Sequence, residues 1–150
     1  MKTFLKFILL VIILNVVRYL IGGPIEAVTI MEPMHAVMPK YPEVFDTDFS
    51  GADFAISFFY NFMLWLTATW VFHIAHPALM GNFIAKSFKV FGLMCLFFIS
   101  LAAVYMNHYI DAIKTFYIFS MIDAIIVFSV VALANGLIYP KLFKMKFLKN

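Results

Sequence analysis

The sequence has little of what most sites in soluble proteins are built from. Of its 150 residues, 13% are charged and one is a cysteine. A single cysteine, Cys95, excludes an intramolecular disulfide, a CxxC redox pair and any zinc or iron–sulfur site with several cysteines. The chain also lacks HExxH, GxSxG and glycine-rich phosphate-binding motifs, so its motifs indicate no enzyme class. The net charge of +3 is small and dispersed, which argues against nucleic acid as a partner.

What the chain has in excess is apolar side chains. Hydrophobic residues make up 65% of it, whereas soluble domains average about 45–50%. A fold of this size could not hide so much apolar surface from water, because a large share of any small domain must face the solvent. We therefore expect lipid to be the solvent for much of the surface. No internal repeat is apparent, so an inverted-repeat transporter is not supported.

Four stretches have the length and composition of membrane-spanning helices, which need about 20 mostly apolar residues. They are residues 4–22, 53–75, 88–107 and 116–139. The predicted breaks between and after them are Gly22–Gly23–Pro24, His76–Pro77, the corner at residues 107–114 and Pro140. Ser50 and Asp53 are spaced as a capping pair for the second helix. The predicted fold is all-α, a single four-helix transmembrane domain over residues 1–150.

Charges outside the spans orient the bundle. Eight of the eleven basic residues fall at one side, namely Lys2, Lys6, Lys86, Lys89, Lys141, Lys144, Lys146 and Lys149. Five acidic residues fall in the opposite loop, residues 23–52, at Glu26, Glu32, Glu43, Asp46 and Asp48. By the positive-inside rule both termini are cytoplasmic and this loop is external, in a bacterial-type cytoplasmic (inner) membrane.

Both ends of the chain allow a second interpretation. The N-terminus also resembles a signal peptide that would be cleaved after Ala27, but Asn15 and Arg18 interrupt the apolar pattern and Pro24 is poorly placed. An uncleaved first helix is therefore preferred. The basic tail, residues 140–150, mixes lysines with apolar residues. It is interpreted as an orientation anchor at the headgroups in preference to a sensor of anionic lipid.

Two ionisable residues fall inside predicted spans, where such groups are costly and are functional candidates. Arg18 is about four residues, or roughly 6 Å, from the outer end of the first span. Asp123 is about seven residues, or roughly 10 Å, into the fourth from the same side. Because the two helices are antiparallel and side chains tilt towards their own N-termini, their charged groups converge on one level. We expect an Arg18–Asp123 pair, with Asn15 one turn below Arg18 and Asn61 of the second span completing a polar cluster.

This cluster has two interpretations. As a binding site it would hold a small anion, a proton or a lipid headgroup, with Asp123 titrating and Arg18 as the counter-charge. As an interhelical clamp it would only fix the packing of the helices, and the presence of just one acid and one base favours the clamp. The leading functional hypothesis is a non-enzymatic accessory or ligand-binding protein whose partners are membrane lipids, a partner subunit or a second copy of the chain. The alternative is a proton- or ion-linked transporter or channel that uses Asp123.

The external segment "MEPMHAVMP", residues 31–39, raises a third hypothesis, a metal-binding protein or enzyme at the membrane surface. His35 with Met34 and Met38, joined by His108, offers ligands that suit copper, and the histidines also suit zinc. The prolines instead favour an extended, stiff lid on the bundle in which the methionines fill gaps. The lid is preferred, so no cofactor is expected.

His73 and His76 form the other candidate metal pair. They are three residues apart on the second helix and therefore share a face. A metal ion between them is the functional interpretation. A helix end that meets lipid headgroups is the commoner one.

Overall fold

The described part of the chain is all-helical. The structure, a computed structural model, describes residues 2–46, 48 and 50–144, and these residues contain no strand. The α-helices are α1 (Lys2–Val17), α2 (Gly23–Thr29), α3 (Met31–His35), α4 (Gly51–Ala75), α5 (Phe83–Met106) and α6 (Asp111–Leu142). A π-helical turn, Arg18–Gly22, joins α1 to α2, and 3-10 turns lie at Met38–Lys40 and His76–Ala78. The predictions for residues 145–150 of the basic tail lie outside the described residues.

Four helical stretches are long and apolar enough to cross a membrane, as the sequence predicts. They run over Thr3–Thr29, Gly51–Ala78, Phe83–Met106 and Asp111–Leu142. Many of their large apolar side chains point outward; Leu93 and Phe97, for example, are 69% and 72% exposed. An all-helical fold with four such helices is therefore confirmed.

The first span is longer than predicted because Gly22–Gly23–Pro24 does not end it. The N–H of Gly23 bonds to the carbonyl of Arg18 five residues back, which closes the π turn. Pro24 then falls in the first turn of α2, where its missing N–H is tolerated. The chain leaves the helix only at Ile30, whose φ is −129°. The first seven residues of the predicted external loop, 23–29, are therefore part of the first helix.

The rest of the predicted loop covers one end of α6, but its backbone is not the expected extended one. It forms α3 and a 3-10 turn, and its Ile30 is buried. Met34 Sδ lies 3.9 Å from the hydroxyl of Ser120, and the rings of Phe45 and Phe116 are 4.7 Å apart. The segment packs over the beginning of α6 through these contacts, with a helical backbone.

The start and end of α4 match the predictions. The Ser50 hydroxyl accepts a hydrogen bond from the Asp53 N–H, and the Asp53 carboxylate accepts one from the Ser50 N–H at 2.9 Å. This reciprocal capping box satisfies two backbone donors that the first helical turn leaves free. The helix then ends at Ala75, directly before His76 and Pro77.

Helices α5 and α6 extend beyond the apolar stretches that predicted them. Asn82 caps α5 by accepting a hydrogen bond from the Ala85 N–H at 2.9 Å, so the helix starts five residues before the predicted position 88. α6 begins at Asp111 and continues through Pro140 to Leu142, so Pro140 does not close it. The length of an apolar stretch reflects the thickness of the bilayer core, whereas the helix itself can continue into the polar surroundings on either side.

Helices α5 and α6 pack more closely than any other two helices, whereas a groove separates parts of α4 and α5. A Cβ built on Gly136 would lie 2.6 Å from the Cα of Ile84, so only glycine allows this approach. Beside it the buried Asn135 amide donates to the Ser87 hydroxyl at 3.0 Å. An apolar groove of about 530 Å³ remains between α4 and α5, which we call the α4–α5 groove.

Candidate functional site

A buried ion pair joins the two sides of the π turn. The Arg18 guanidinium Nη2 lies 3.2 Å from the Glu26 carboxylate Oε2, and the two side chains are 15% and 6% exposed. In a regular helix residues eight apart are rotated by about 80° from each other around the axis. The π turn contains one residue more than a regular turn. Arg18 and Glu26 are therefore about two helical turns apart, as residues seven apart are in a regular helix of 3.6 residues per turn, and lie on one face. Gly22 leaves room for the carboxylate, because a Cβ there would lie 3.2 Å from Glu26 Oε1.

The predicted direct pair between Arg18 and Asp123 is therefore wrong. Glu26, which the sequence analysis assigned to the external loop, is the ion-pair partner of Arg18. Asp123 interacts electrostatically with Arg18 and with Glu26. We call these three side chains the Arg18 cluster. It has one more acid than base, so one carboxylate lacks a counter-charge within it.

A small pocket opens beside the cluster, between the first span, α4, α5 and α6. It encloses about 160 Å³. Its polar lining side chains are Arg18, Asn61, Trp65, Ser120 and Asp123. Three of the four predicted site residues therefore meet in one pocket, which we call the Asp123 pocket. The fourth, Asn15, is not among the lining residues, and its amide donates to the Val11 carbonyl of its own helix at 2.9 Å.

Several polar atoms of the pocket residues are unsatisfied. Within residues 2–46, 48 and 50–144, the Asp123 Oδ1, Arg18 Nε and Trp65 Nε1 atoms are buried and have no hydrogen-bond partner. A buried polar group left in this state costs about 1–3 kcal/mol. Such groups call for a ligand or ordered water. The pocket residues thus offer two N–H donors and one carboxylate acceptor.

Asn61 and Ser120 each donate one hydrogen bond within their own helices. The Asn61 amide donates to the Ser57 carbonyl at 3.0 Å, and the Ser120 hydroxyl donates to the Phe116 carbonyl at the same distance. These side chains therefore shape the pocket, while Asp123, Arg18 and Trp65 supply its unpaired polar atoms.

The α4–α5 groove adjoins the Asp123 pocket. Leu64, Phe98 and Phe128 line both. From there the groove follows α4 to Ala75 and reaches Leu79 beyond it, and Lys89 is the charged residue in its lining. A polar pocket and an apolar groove are therefore neighbours within the bundle.

A second buried polar group lies at the opposite end of the bundle. It consists of His73, His76 and Tyr139, which we call the His73 cluster. His73 Nδ1 is hydrogen-bonded to the hydroxyl of the fully buried Tyr139. His76 Nδ1 is 2.9 Å from the His73 carbonyl. The sequence singles out the two histidines by their spacing, but no motif signals Tyr139, which α6 brings to them from across the bundle.

The sequence offers His35, Met34, Met38 and His108 as candidate metal ligands, all within the described part of the chain. No group of three or more His, Cys, Asp or Glu side chains suited to a metal ion occurs among these residues. His35 and His108 are both exposed. Met34 lies against Ser120 instead. Copper or zinc at His35, Met34, Met38 and His108 stays a prediction.

Comparison with known proteins adds no relative. No family model matches the chain, and no curated protein and no solved structure matches it. The structure defines an all-helical chain with four helices able to cross a membrane and a polar pocket among them.

Proposed function

We propose that this chain is a non-enzymatic, multi-pass membrane protein that binds a small polar ligand or a lipid headgroup in the Asp123 pocket. One observation carries the proposal: Asp123, a carboxylate within an apolar helix, lines a pocket together with Arg18 and Trp65, and each of these three side chains has a buried polar atom without a hydrogen-bond partner. Ionisable groups at such depth are rare and are retained where they have a task. The ion pair with Glu26 neutralises Arg18 and leaves Asp123 available to a ligand.

The distribution of lysines supports a cytoplasmic membrane with both termini inside. Lys6 Nζ lies 5.5 Å from the Phe143 ring centre, and Lys86 Nζ donates to the His76 carbonyl at 2.9 Å. Basic residues therefore gather at the end that holds the His73 cluster, which we assign to the cytoplasmic side.

In this orientation the Asp123 pocket lies near the outer leaflet. Asp123 is twelve residues into α6, or about 18 Å along its axis. A helix of 32 residues is about 48 Å long and crosses a hydrocarbon core of roughly 30 Å. When α6 is centred in the membrane, Asp123 lies about 9 Å below the outer surface of the core.

Native mass spectrometry of the protein extracted in mild detergent tests the proposal. The wild type should retain a ligand that Asp123→Asn loses. Asp111→Asn is the matched control, because it makes the same change in an exposed acid at the start of the same helix. Equal retention by all three proteins would contradict the proposal. The intact mass also reports any partner subunit or second copy of the chain.

A proton- or ion-linked transporter is the second candidate function. It is favoured by the absence of an ion-pair partner for Asp123 among the described residues, since Arg18 pairs with Glu26. In this case the wild type in liposomes should move protons or ions, and Asp123→Asn should abolish the flux while Asp111→Asn preserves it. A retained ligand without flux supports the binding protein instead.

A further inference from the structure

The unpaired polar atoms of the Asp123 pocket are of two opposite kinds. Arg18 Nε and Trp65 Nε1 carry hydrogens to donate, whereas the Asp123 carboxylate accepts. A ligand that satisfies both kinds carries oxygen acceptors and a cationic N–H donor. Hydrogen bonds between ionised groups are roughly twice as strong as neutral ones, so an ammonium group on Asp123 is the strongest single contact available.

The negative charge of Asp123 also favours some membrane lipids over others. Because Glu26 neutralises Arg18, Asp123 is the acid of the cluster without a counter-charge. An anionic lipid without an ammonium group would place a second negative charge beside it. A quaternary ammonium group has the positive charge but no hydrogen to donate. A primary ammonium group has both.

The α4–α5 groove supplies the apolar half of the site. It extends along α4 from Leu64, which it shares with the Asp123 pocket, to Ala75, and Leu79 lines it beyond the end of that helix. The eleven residues of helix from Leu64 to Ala75 cover about 16 Å, and one leaflet of a bilayer core is about 15 Å thick. A single acyl chain therefore fits lengthwise in this groove of about 530 Å³.

We infer that the ligand is a phospholipid with a primary ammonium headgroup. Its ammonium group binds the Asp123 carboxylate, its phosphate or ester oxygens accept hydrogen bonds from Arg18 and Trp65, and one acyl chain lies in the α4–α5 groove. This inference rests on the proposed function of the Asp123 pocket and names the ligand class.

Competition between lipids of equal chain length tests the headgroup on the wild-type protein. The delipidated protein is offered phosphatidylethanolamine, phosphatidylcholine and phosphatidylglycerol, and occupancy is read by native mass spectrometry. Phosphatidylethanolamine and phosphatidylcholine differ only in the three methyl groups on nitrogen. We expect the former to bind about tenfold more tightly, which corresponds to about 1.4 kcal/mol.

Variants assign that preference to individual groups. Asp123→Asn should bring the ratio between the two lipids close to one, and Asp111→Asn should leave it unchanged. Trp65→Phe, which removes the Nε1 donor and keeps a ring, should weaken both lipids and preserve the ratio. Equal binding of the two lipids to the wild type, with both lost in Asp123→Asn, would overturn the headgroup and leave the proposed function standing. Lipid binding that ignores Asp123 would overturn both.

Substitutions that fill the α4–α5 groove test whether an acyl chain binds there. Leu93 lines the groove and is 69% exposed, so Leu93→Trp narrows it without entering the core. Leu133→Trp on α6 is the matched control, because Leu133 is 45% exposed and is not among the groove residues. We expect Leu93→Trp alone to reduce phosphatidylethanolamine occupancy at least severalfold. Equal occupancy in the two variants would contradict the groove assignment.

Discussion

The two ends of the bundle bury polar side chains in different ways. In the His73 cluster each side chain has a hydrogen bond within the protein, and aromatic rings surround it: Phe7 meets His73 edge to face at 4.8 Å, and Phe72 meets Tyr139 at 4.9 Å. In the Arg18 cluster the ion pair with Glu26 leaves Arg18 Nε and Asp123 Oδ1 without partners in the described residues, next to a pocket.

This difference separates a structural role from a binding role. Burying a polar group is costly unless it is hydrogen-bonded, and a protein that meets this need internally gains a rigid packing unit. A protein that leaves a buried polar atom unpaired beside a pocket has a place where a ligand can bind. The His73 cluster therefore connects helices α4 and α6, while the Asp123 pocket is the part for which we propose ligand binding.

Tyr139→Ala is the substitution with the largest expected effect on stability. Tyr139 is fully buried, and its removal leaves a cavity among the rings and takes the hydrogen bond from His73. Losing a large buried aromatic side chain costs about 3–5 kcal/mol. Thermal unfolding in detergent measures the loss. Leu137→Ala, at an exposed position on the same helix, is the control. A loss as small as in this control would mean that the His73 cluster is not a packing unit.

Glu26→Gln should have the next largest effect. Removing one partner of a buried ion pair leaves the other charge uncompensated, at a cost of about 3 kcal/mol. The double variant Arg18→Gln with Glu26→Gln should recover part of that loss, because neither charge then remains. Glu32→Gln changes an exposed acid in α3 and serves as the control in the same unfolding measurement. A loss below about 1 kcal/mol would contradict the ion pair between Arg18 and Glu26 and would indicate that Asp123 is the partner of Arg18 instead.

Much of this architecture could be predicted because it depends on local chemistry. The four apolar stretches, the capping box at Ser50 and the helix end before Pro77 each follow from a few neighbouring residues. The meeting of Arg18, Asn61 and Asp123 in one pocket also followed, because depth in a membrane can be counted along a helix.

The partner of Arg18 could not be predicted, for a physical reason. The sequence "GGP" normally ends a helix, so Glu26 seemed to lie in a loop. Only the π turn carries the helix past Pro24 and rotates Glu26 onto the face of Arg18, and no residue pattern signals a π turn. Asn15 lies outside the pocket for a different reason. Its amide donates a hydrogen bond to the Val11 carbonyl of its own helix, which counting residues cannot show.

Of these substitutions, Asp123→Asn should have the smallest effect on stability. That result would support different roles for the polar side chains at the two ends of the bundle. Asparagine keeps the shape of aspartate, and Asp123 forms no ion pair in the described part of the chain. The ligand-free variant should therefore unfold within about 0.5 kcal/mol of the wild type. If Asp123 instead served as an interhelical clamp, the variant would lose stability, and neutralising Arg18 as well would restore part of it.

The same measurement with lipid present completes the test of Asp123. A ligand that binds only the folded state stabilises it by mass action. Phosphatidylethanolamine should therefore raise the unfolding temperature of the wild type and of Asp111→Asn, but not that of Asp123→Asn. A residue that contributes little to the stability of the free protein and nearly all of the stabilisation by ligand is a binding residue. Tyr139 should show the reverse pattern, because its contacts are complete before any ligand arrives.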